Sequence, residues 1–214
     1  MIRILLADDH AIIRDGVKQI LADTDDLVVA GEAANGAEAL KMVAEQDWDL
    51  VILDISMPGK SGLELIKLIR QAKPRLPILI FTMHPEQQYA LRALHAGASG
   101  YLTKESDSEV LVAAIRKVTS GHIYFTDNVA ELLVRERMPK ANQLSHTSLS
   151  NREFQVFEKL VSGVRLTDIA NELNLSIKTI STHKSRIMQK MKMASEAELV
   201  RYAVARGLVT IPKE

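Results

Sequence analysis

The chain of 214 residues contains no cysteine, so a disulfide framework and a thiolate metal centre are both excluded. It also lacks any apolar stretch near the roughly 18 residues that a bilayer-spanning helix needs. Met1-Ile2-Arg3 leads straight into a strand pattern, without the basic, apolar and small regions of a signal peptide. The expectation is a cytoplasmic protein without a membrane segment. Charge of one sign is missing only on average. The net charge is zero, yet residues 1–122 carry 13 basic against 17 acidic residues, and residues 149–214 carry 11 against 7. An acidic half followed by a basic half points to different partners, with nucleic acid suited to the second.

What the chain does have is a set of short apolar runs that end in polar chemistry. Ile4-Leu5-Leu6-Ala7 runs into Asp8-Asp9, Val51-Ile52-Leu53 into Asp54, and Ile78-Leu79-Ile80-Phe81 into Thr82, while Tyr101-Leu102-Thr103 delivers Lys104. Unbroken apolar runs of this length read as strands buried on both faces of a parallel sheet. In open parallel sheets, reactive groups collect outside the carboxyl ends of the strands. Three carboxylates, a hydroxyl and an ammonium should therefore converge on one rim.

Strand signals near 2–7, 27–31, 50–53, 78–81 and 99–102 alternate with helical stretches near 12–22, 36–46, 62–73, 86–95 and 107–120. This alternation predicts a doubly wound α/β domain with a five-stranded parallel sheet. Ser61…Glu64 and Ser106…Glu109 have capping-box spacing, and Met57-Pro58-Gly59 and Gly97-Ala98-Ser99-Gly100 supply breaks. The division expected is a first domain over 1–122, a linker over 123–148 with one helix near 127–137, and a second domain over 149–214. Four helices are predicted in the last part, at 151–162, 167–173, 177–191 and 196–207, with capping boxes at Ser150…Glu153 and Ser195…Glu198 and Ser176 as a further N-cap.

Carboxylates gathered at one rim repel, so they must be protonated, paired or bound to metal. An all-oxygen ligand set selects a hard cation such as Mg²⁺, which keeps positions open for phosphate oxygens. Asp54 would then be a nucleophile forming an aspartyl-phosphate, with Lys104 as a point charge and Thr82 as a hydroxyl donor to the phosphoryl oxygens.

Residues 1–120 resemble a response-regulator receiver domain, on Asp8-Asp9, Asp54 with Met57-Pro58-Gly59, Thr82, and Lys104 after Gly97 to Thr103. The resemblance implies a flavodoxin-like fold and phosphorylation of Asp54 by a sensor histidine kinase. It also implies Mg²⁺ held by Asp9, Asp54 and the Ser56 backbone carbonyl, with Asp8 acting partly through water. Thr82 and Tyr101 would form the switch pair, the ring moving inward on phosphorylation. Ser56 and His84, each two residues past a reactive group, are candidates to tune the lifetime of the acyl phosphate. A phosphomonoesterase using Asp54 would want a second carboxylate two residues on, where Ser56 stands. A regulator that keeps the pocket but works without phosphorylation is the remaining alternative.

In the basic part, Ile169, Ala170 and Leu173 give one apolar helix face, and Asn174-Leu175-Ser176 turns the chain. The next helix sends Ile177, Ile180, Ile187, Met188 and Met191 toward a core. From 177 to 192 there are five basic residues and no acidic one, interleaved with Ser and Thr, which suits a recognition helix in a DNA groove. Residues 149–207 resemble the LuxR-type helix-turn-helix module of NarL/FixJ-type regulators, on Leu149-Ser150-Asn151-Arg152-Glu153, Gly163, Ile169-Ala170, Leu173, Leu175-Ser176, Lys178-Thr179, His183 and Ile187. That resemblance implies an all-α four-helix domain contacting promoter DNA. Lys178, Thr179, Lys184 and Arg186 are expected at phosphates, and Ser181, Thr182 and Ser185 at base edges. His183 packs or meets a phosphate. Arg165-Leu166-Thr167-Asp168 departs from the usual Ser-Asn helix opening. The last helix, with Leu199, Val200, Ala203 and Val204, would pair two copies into a homodimer on an inverted repeat.

Overall fold

The computed structural model describes residues 1–57, 62–126, 128–131, 133 and 146–209. The chain forms two compact units, Met1–Met138 and Pro139–Glu214.

The first unit alternates strand and helix: β1 Ile2–Ala7, α1 Ala11–Ala22, β2 Leu27–Ala33, α2 Gly36–Glu45, β3 Leu50–Leu53, α3 Gly62–Ala72, β4 Ile78–Thr82, α4 Glu86–Ala96, β5 Gly100–Thr103 and α5 Ser108–Thr119. The sheet is wholly parallel in the order β2-β1-β3-β4-β5. Every residue of β3 and β4 is buried, as their unbroken apolar runs demand. Ile4, Leu6, Ile52 and Leu79 form a core with Val17 and Leu21 of α1 and with Leu111 and Ile115 of α5. The order reverses at β1, which pairs with both β2 and β3, so the crevice of a doubly wound sheet opens at the carboxyl ends of β1 and β3.

Local signals hold with two changes. Asn35 caps α2 by accepting from the Glu38 N–H, while Glu38 accepts from Ala34, a pairing not anticipated from sequence. The expected box at Ser106…Glu109 does not form. α5 begins at Ser108 with Asp107 at its N-cap, and the Ser106 hydroxyl lies 3.4 Å from that of Thr103. The Thr103-to-Ser106 turn (Ser106 N to Thr103 O, 3.0 Å) draws that serine back before the helix starts. Ser61…Glu64 and Pro58-Gly59 involve positions outside the described residues.

β5 lies at the sheet edge, and the start of the expected linker covers it. Tyr124 bridges Gly100, the Tyr101 N–H donates to the Tyr124 carbonyl at 3.0 Å, and the Tyr124 N–H donates to Ser99 at 2.9 Å. The Thr126 hydroxyl then donates to Glu86 of α4 at 2.6 Å. An uncovered edge exposes unpaired backbone groups, and three residues of extended chain satisfy some of them here. Residues 128–131 and 133 are helical, and the rest of the helix expected near 127–137 lies outside the described residues.

The second unit contains α6 Asn151–Val161, α7 Leu166–Glu172, α8 Ile177–Met191 and α9 Glu196–Ala205. Ser150 and Glu153 complete a capping box, and Ser176 accepts from the Thr179 N–H. Ser195 accepts from Glu198, but Glu198 reaches back to Ala194 rather than to Ser195. α7 starts at Leu166 without a side-chain cap, in line with its unusual opening. Phe154, Phe157, Ile169, Ile180, Ile187, Met191, Leu199 and Ala203 are buried. Two apolar expectations change. Ile177 is 50% exposed, because a side chain at the first helical position tilts past the helix start rather than onto the core. Leu199 and Ala203 are spent inside the domain, leaving only Val200 and Val204 of the four residues expected on an outer face.

Two glycine-to-alanine substitutions should separate crowding from helix propensity. At Gly62 a Cβ would lie 2.2 Å from the Ile55 Cα, whereas at Gly16, inside α1, nothing stands within 4 Å. Gly62→Ala should lower unfolding free energy by about 1–3 kcal/mol in denaturant melts. Gly16→Ala should raise it by about 0.5–1 kcal/mol.

Candidate functional site

At the carboxyl ends of β1, β3, β4 and β5 the structure brings Asp8, Asp9, Asp54, Thr82 and Lys104 together. Asp8 and Asp54 are 1% exposed and Thr82 is fully buried. Lys104 Nζ sits 2.6 Å from Asp8 Oδ2 and 2.7 Å from Asp54 Oδ2. The other Asp54 oxygen accepts from the Ser56 N–H at 2.9 Å. Burial pushes the Asp54 carboxyl up, but the Lys104 ammonium, the Ser56 N–H and the Thr82 hydroxyl outweigh it and hold it below the usual carboxylate range. Burial likewise pulls Lys104 down, and Asp54 and Asp8 together raise it above the usual lysine value. The site is thus charged on both sides.

Asp8, Asp9, His10 and Asp54 each offer a ligand atom within 4.8 Å of the others. Asp8 Oδ2 meets the Lys104 ammonium and Asp8 Oδ1 accepts from the His10 N–H at 2.9 Å, and each buried carboxylate oxygen keeps a further lone pair for a cation. The donor set fits a hard divalent ion. His10 is the rim residue the sequence reading left out: its Nδ1 lies 3.0 Å from Asp9 and 3.3 Å from Asp8. Its one signal was its place directly after the acidic pair.

The Ser56 and Thr82 hydroxyls lie 3.2 Å apart, so Ser56 meets the reactive rim directly. Tyr101 is 1% exposed, and its hydroxyl donates to the His84 carbonyl at 2.9 Å. His84 stacks at 4.3 Å on Tyr89 and reaches the rim through its backbone, its N–H lying 3.5 Å from the Thr82 hydroxyl.

On α8, Lys178, Ser181, Thr182, Ser185 and Arg186 are exposed, and Thr179, His183 and Lys184 are half-buried. Lys184 is paired with Glu196 of α9 at 2.5 Å, which tempers its availability for phosphate. His183 turns inward: its Nδ1 is buried without a partner, and burial pushes the imidazole down. Lys190 anchors the far end of α8 on the buried Glu153 at 2.6 Å. Burial raises that carboxyl, and Lys190 with the Ser150 N–H brings it below the usual range.

The family of response regulator receiver domains matches residues 4–116, and that of bacterial regulatory proteins of the luxR family matches residues 147–203. The response regulator GacA of Pseudomonas viridiflava is 37% identical over 210 residues, covering 98% of both chains. The chain belongs to the LuxR-type response regulators. The response regulator UvrY of Escherichia coli K12 is 34% identical over 97% of this regulator and 96% of that one. Among solved structures, RcsB of Salmonella typhimurium matches with a TM-score of 0.72 at 28% identity, covering 95% of this chain and 97% of that one. RcsB has also been solved bound to promoter rprA in the presence of phosphomimetic BeF3- (TM-score 0.68, 26% identity, 96% and 100% coverage). The regulator is a two-component protein with a LuxR-type DNA-binding domain, and no described helix is long and apolar enough to cross a membrane.

The shared ammonium makes a signed prediction. A carboxyl whose folded-state pKa is depressed stabilises the fold above its ordinary value of 3.8 and loses that contribution as pH falls through the folded-state value. Lys104→Met should therefore cost about 3 kcal/mol at pH 7 in denaturant melts, as a buried pair losing one partner does. The difference from wild type should shrink as pH falls below 3.8.

Proposed function

We propose that Asp54 is the phosphoacceptor of this regulator and that a sensor histidine kinase supplies the phosphoryl group. The observation that carries this reading is Lys104 held between Asp8 and Asp54 beside a cluster of cation ligands. An Asp54 carboxylate oxygen attacks phosphorus, a P–O bond forms, and the P–N bond to the donor imidazole breaks. Held ionised, Asp54 keeps its electron pair available for this step. Lys104 and Thr82 receive the charge on the phosphoryl oxygens. Mg²⁺ held by Asp8, Asp9, Asp54 and the Ser56 carbonyl would neutralise phosphoryl charge. The chain would catalyse its own phosphoryl transfer and the hydrolysis of the product, with no turnover of another substrate.

Downstream, the Thr82 and Tyr101 pair would read out the phosphoryl group and shift a population toward a DNA-binding homodimer. We divide the chain into a receiver over 1–122, a linker over 123–148 and a DNA-binding domain over 149–214. Lys178, Thr179, Lys184 and Arg186 would meet phosphates, with Ser181, Thr182 and Ser185 beside them in the groove of promoter DNA in the cytoplasm, while the inward-turned His183 would pack beneath them. A second reading, DNA binding independent of phosphorylation, draws on Tyr101, whose ring already occupies the buried position assigned to the active form.

Light scattering and DNA binding with acetyl phosphate and Mg²⁺ decide between them. Under the first reading, wild type dimerises and gains affinity for an inverted-repeat fragment, and Asp54→Ala responds to neither. Equal binding by both proteins with or without donor supports the second. In either case affinity should fall steeply between about 50 and 200 mM salt, with a log–log slope near −0.9 per phosphate contacted.

A further inference from the structure

Ile177 is the most exposed large apolar side chain described in the second unit, at 50%. It opens α8, the helix with five basic residues and no acidic one over 177–192. Ile177, Ser181 and Ser185 are spaced four apart, so they stack on one exposed stripe. The hydroxyls on this surface are largely spent on the helix itself. Ser185 donates to the Ser181 carbonyl at 3.1 Å, and Thr182 donates to the Lys178 carbonyl at 2.9 Å. A hydroxyl donated four residues back cannot also donate to a base edge in the same rotamer.

In a helix-turn-helix, residues at the start of the recognition helix approach base edges in the major groove. The apolar feature offered there is the thymine C5-methyl, which distinguishes A·T from the other pairs without any hydrogen bond. We infer that Ile177 is a specificity-determining residue, reading a thymine methyl in each half-site. The domain core does not use this side chain, and the adjoining exposed Lys178 fits a polyanion rather than an apolar protein partner. An apolar contact then adds sequence preference beyond what the Ser181 hydroxyl and the acceptor lone pairs of Thr182 and Ser185 supply.

Full-length regulator, with acetyl phosphate and Mg²⁺, would first select duplexes from a randomised pool. Each thymine of the selected site is then replaced singly by deoxyuridine, which deletes only the methyl. Wild type should lose about fourfold in affinity at one position per half-site, the worth of one buried methyl. Ile177→Ala should bind thymine and uracil duplexes alike, and Ile177→Val should keep the discrimination. Unchanged melting of Ile177→Ala would show that the fold is intact. The inference is overturned if the uracil penalty persists in Ile177→Ala or if no uracil position affects wild type. Lys178→Ala tests the placement of α8 separately, because a lost phosphate contact weakens every duplex equally. If neither substitution changes binding, the recognition-helix assignment falls; if only Ile177→Ala is silent, the thymine contact alone falls.

Discussion

Two buried carboxylates share one ammonium in this receiver, and the rest of its rim is arranged around that fact. Asp8 arrives from β1, Asp54 from β3 and Lys104 from β5, so the ion pair ties three strands of the sheet at one edge. Removing two acids from water is expensive, and only close pairing with hydrogen bonds to the remaining lone pairs offsets it. Asp54 meets that condition through the Ser56 N–H, and Asp8 through the His10 N–H. Pairing holds the Asp54 carboxyl below the usual carboxylate range, so the oxygens that the rim offers to a cation are charged. Stability and reactivity at this rim have a common origin.

The same strand that delivers Lys104 also carries Tyr101 and seats the segment leading out of the domain. β5 donates the Tyr101 amide to Tyr124, and α4, adjoining the Tyr101 hydroxyl through the His84 loop, holds Thr126 through Glu86. Thr82, the β4–α4 loop and residues 124–126 are thus joined through Tyr101 and Glu86. Coupling of this kind needs a physically continuous set of contacts with two discrete arrangements. The contacts form a continuous path from Asp54 through Ser56, Thr82, His84 and Tyr101 to Tyr124.

Sequence alone made the fold legible because its strongest signals are local and redundant. Residues 4–7, 50–53 and 78–81 of β1, β3 and β4 are unbroken apolar runs, and each intervening helix carries a clear apolar period. The rim residues were legible because every one follows directly on such a run, and a parallel sheet brings those ends together. What stayed hidden depends on contacts distant in sequence. Lys184 finds Glu196 and Tyr124 lies against β5, neither of which periodicity encodes, whereas His10 reaches its neighbours Asp8 and Asp9 by a side-chain turn that the residue order alone does not specify. Ile177 was misplaced because helical spacing alone ignores the tilt of a side chain at a helix start. Ser106 was misplaced because a turn ending at that residue competes with its role as a cap.

The corrected surface of α9 also constrains how two DNA-binding domains come together. With Leu199 and Ala203 committed to the domain core, the larger aliphatic side chains that helix leaves outside are Val200 and Val204, beside the exposed Ala197 and Ala205. A stable protein interface buries about 800 Å² per partner, far more than two valines provide. If two copies pair through α9, these apolar side chains alone do not reach that area. Two weak contacts become a strong one when a duplex holds both half-sites at once, because the second association is then effectively intramolecular. Any further pairing must come from another surface of the chain, and a receiver that changes state on phosphorylation is where such pairing could be controlled. Under the phosphoacceptor reading proposed above, a weak α9 contact leaves the control of pairing to the receiver.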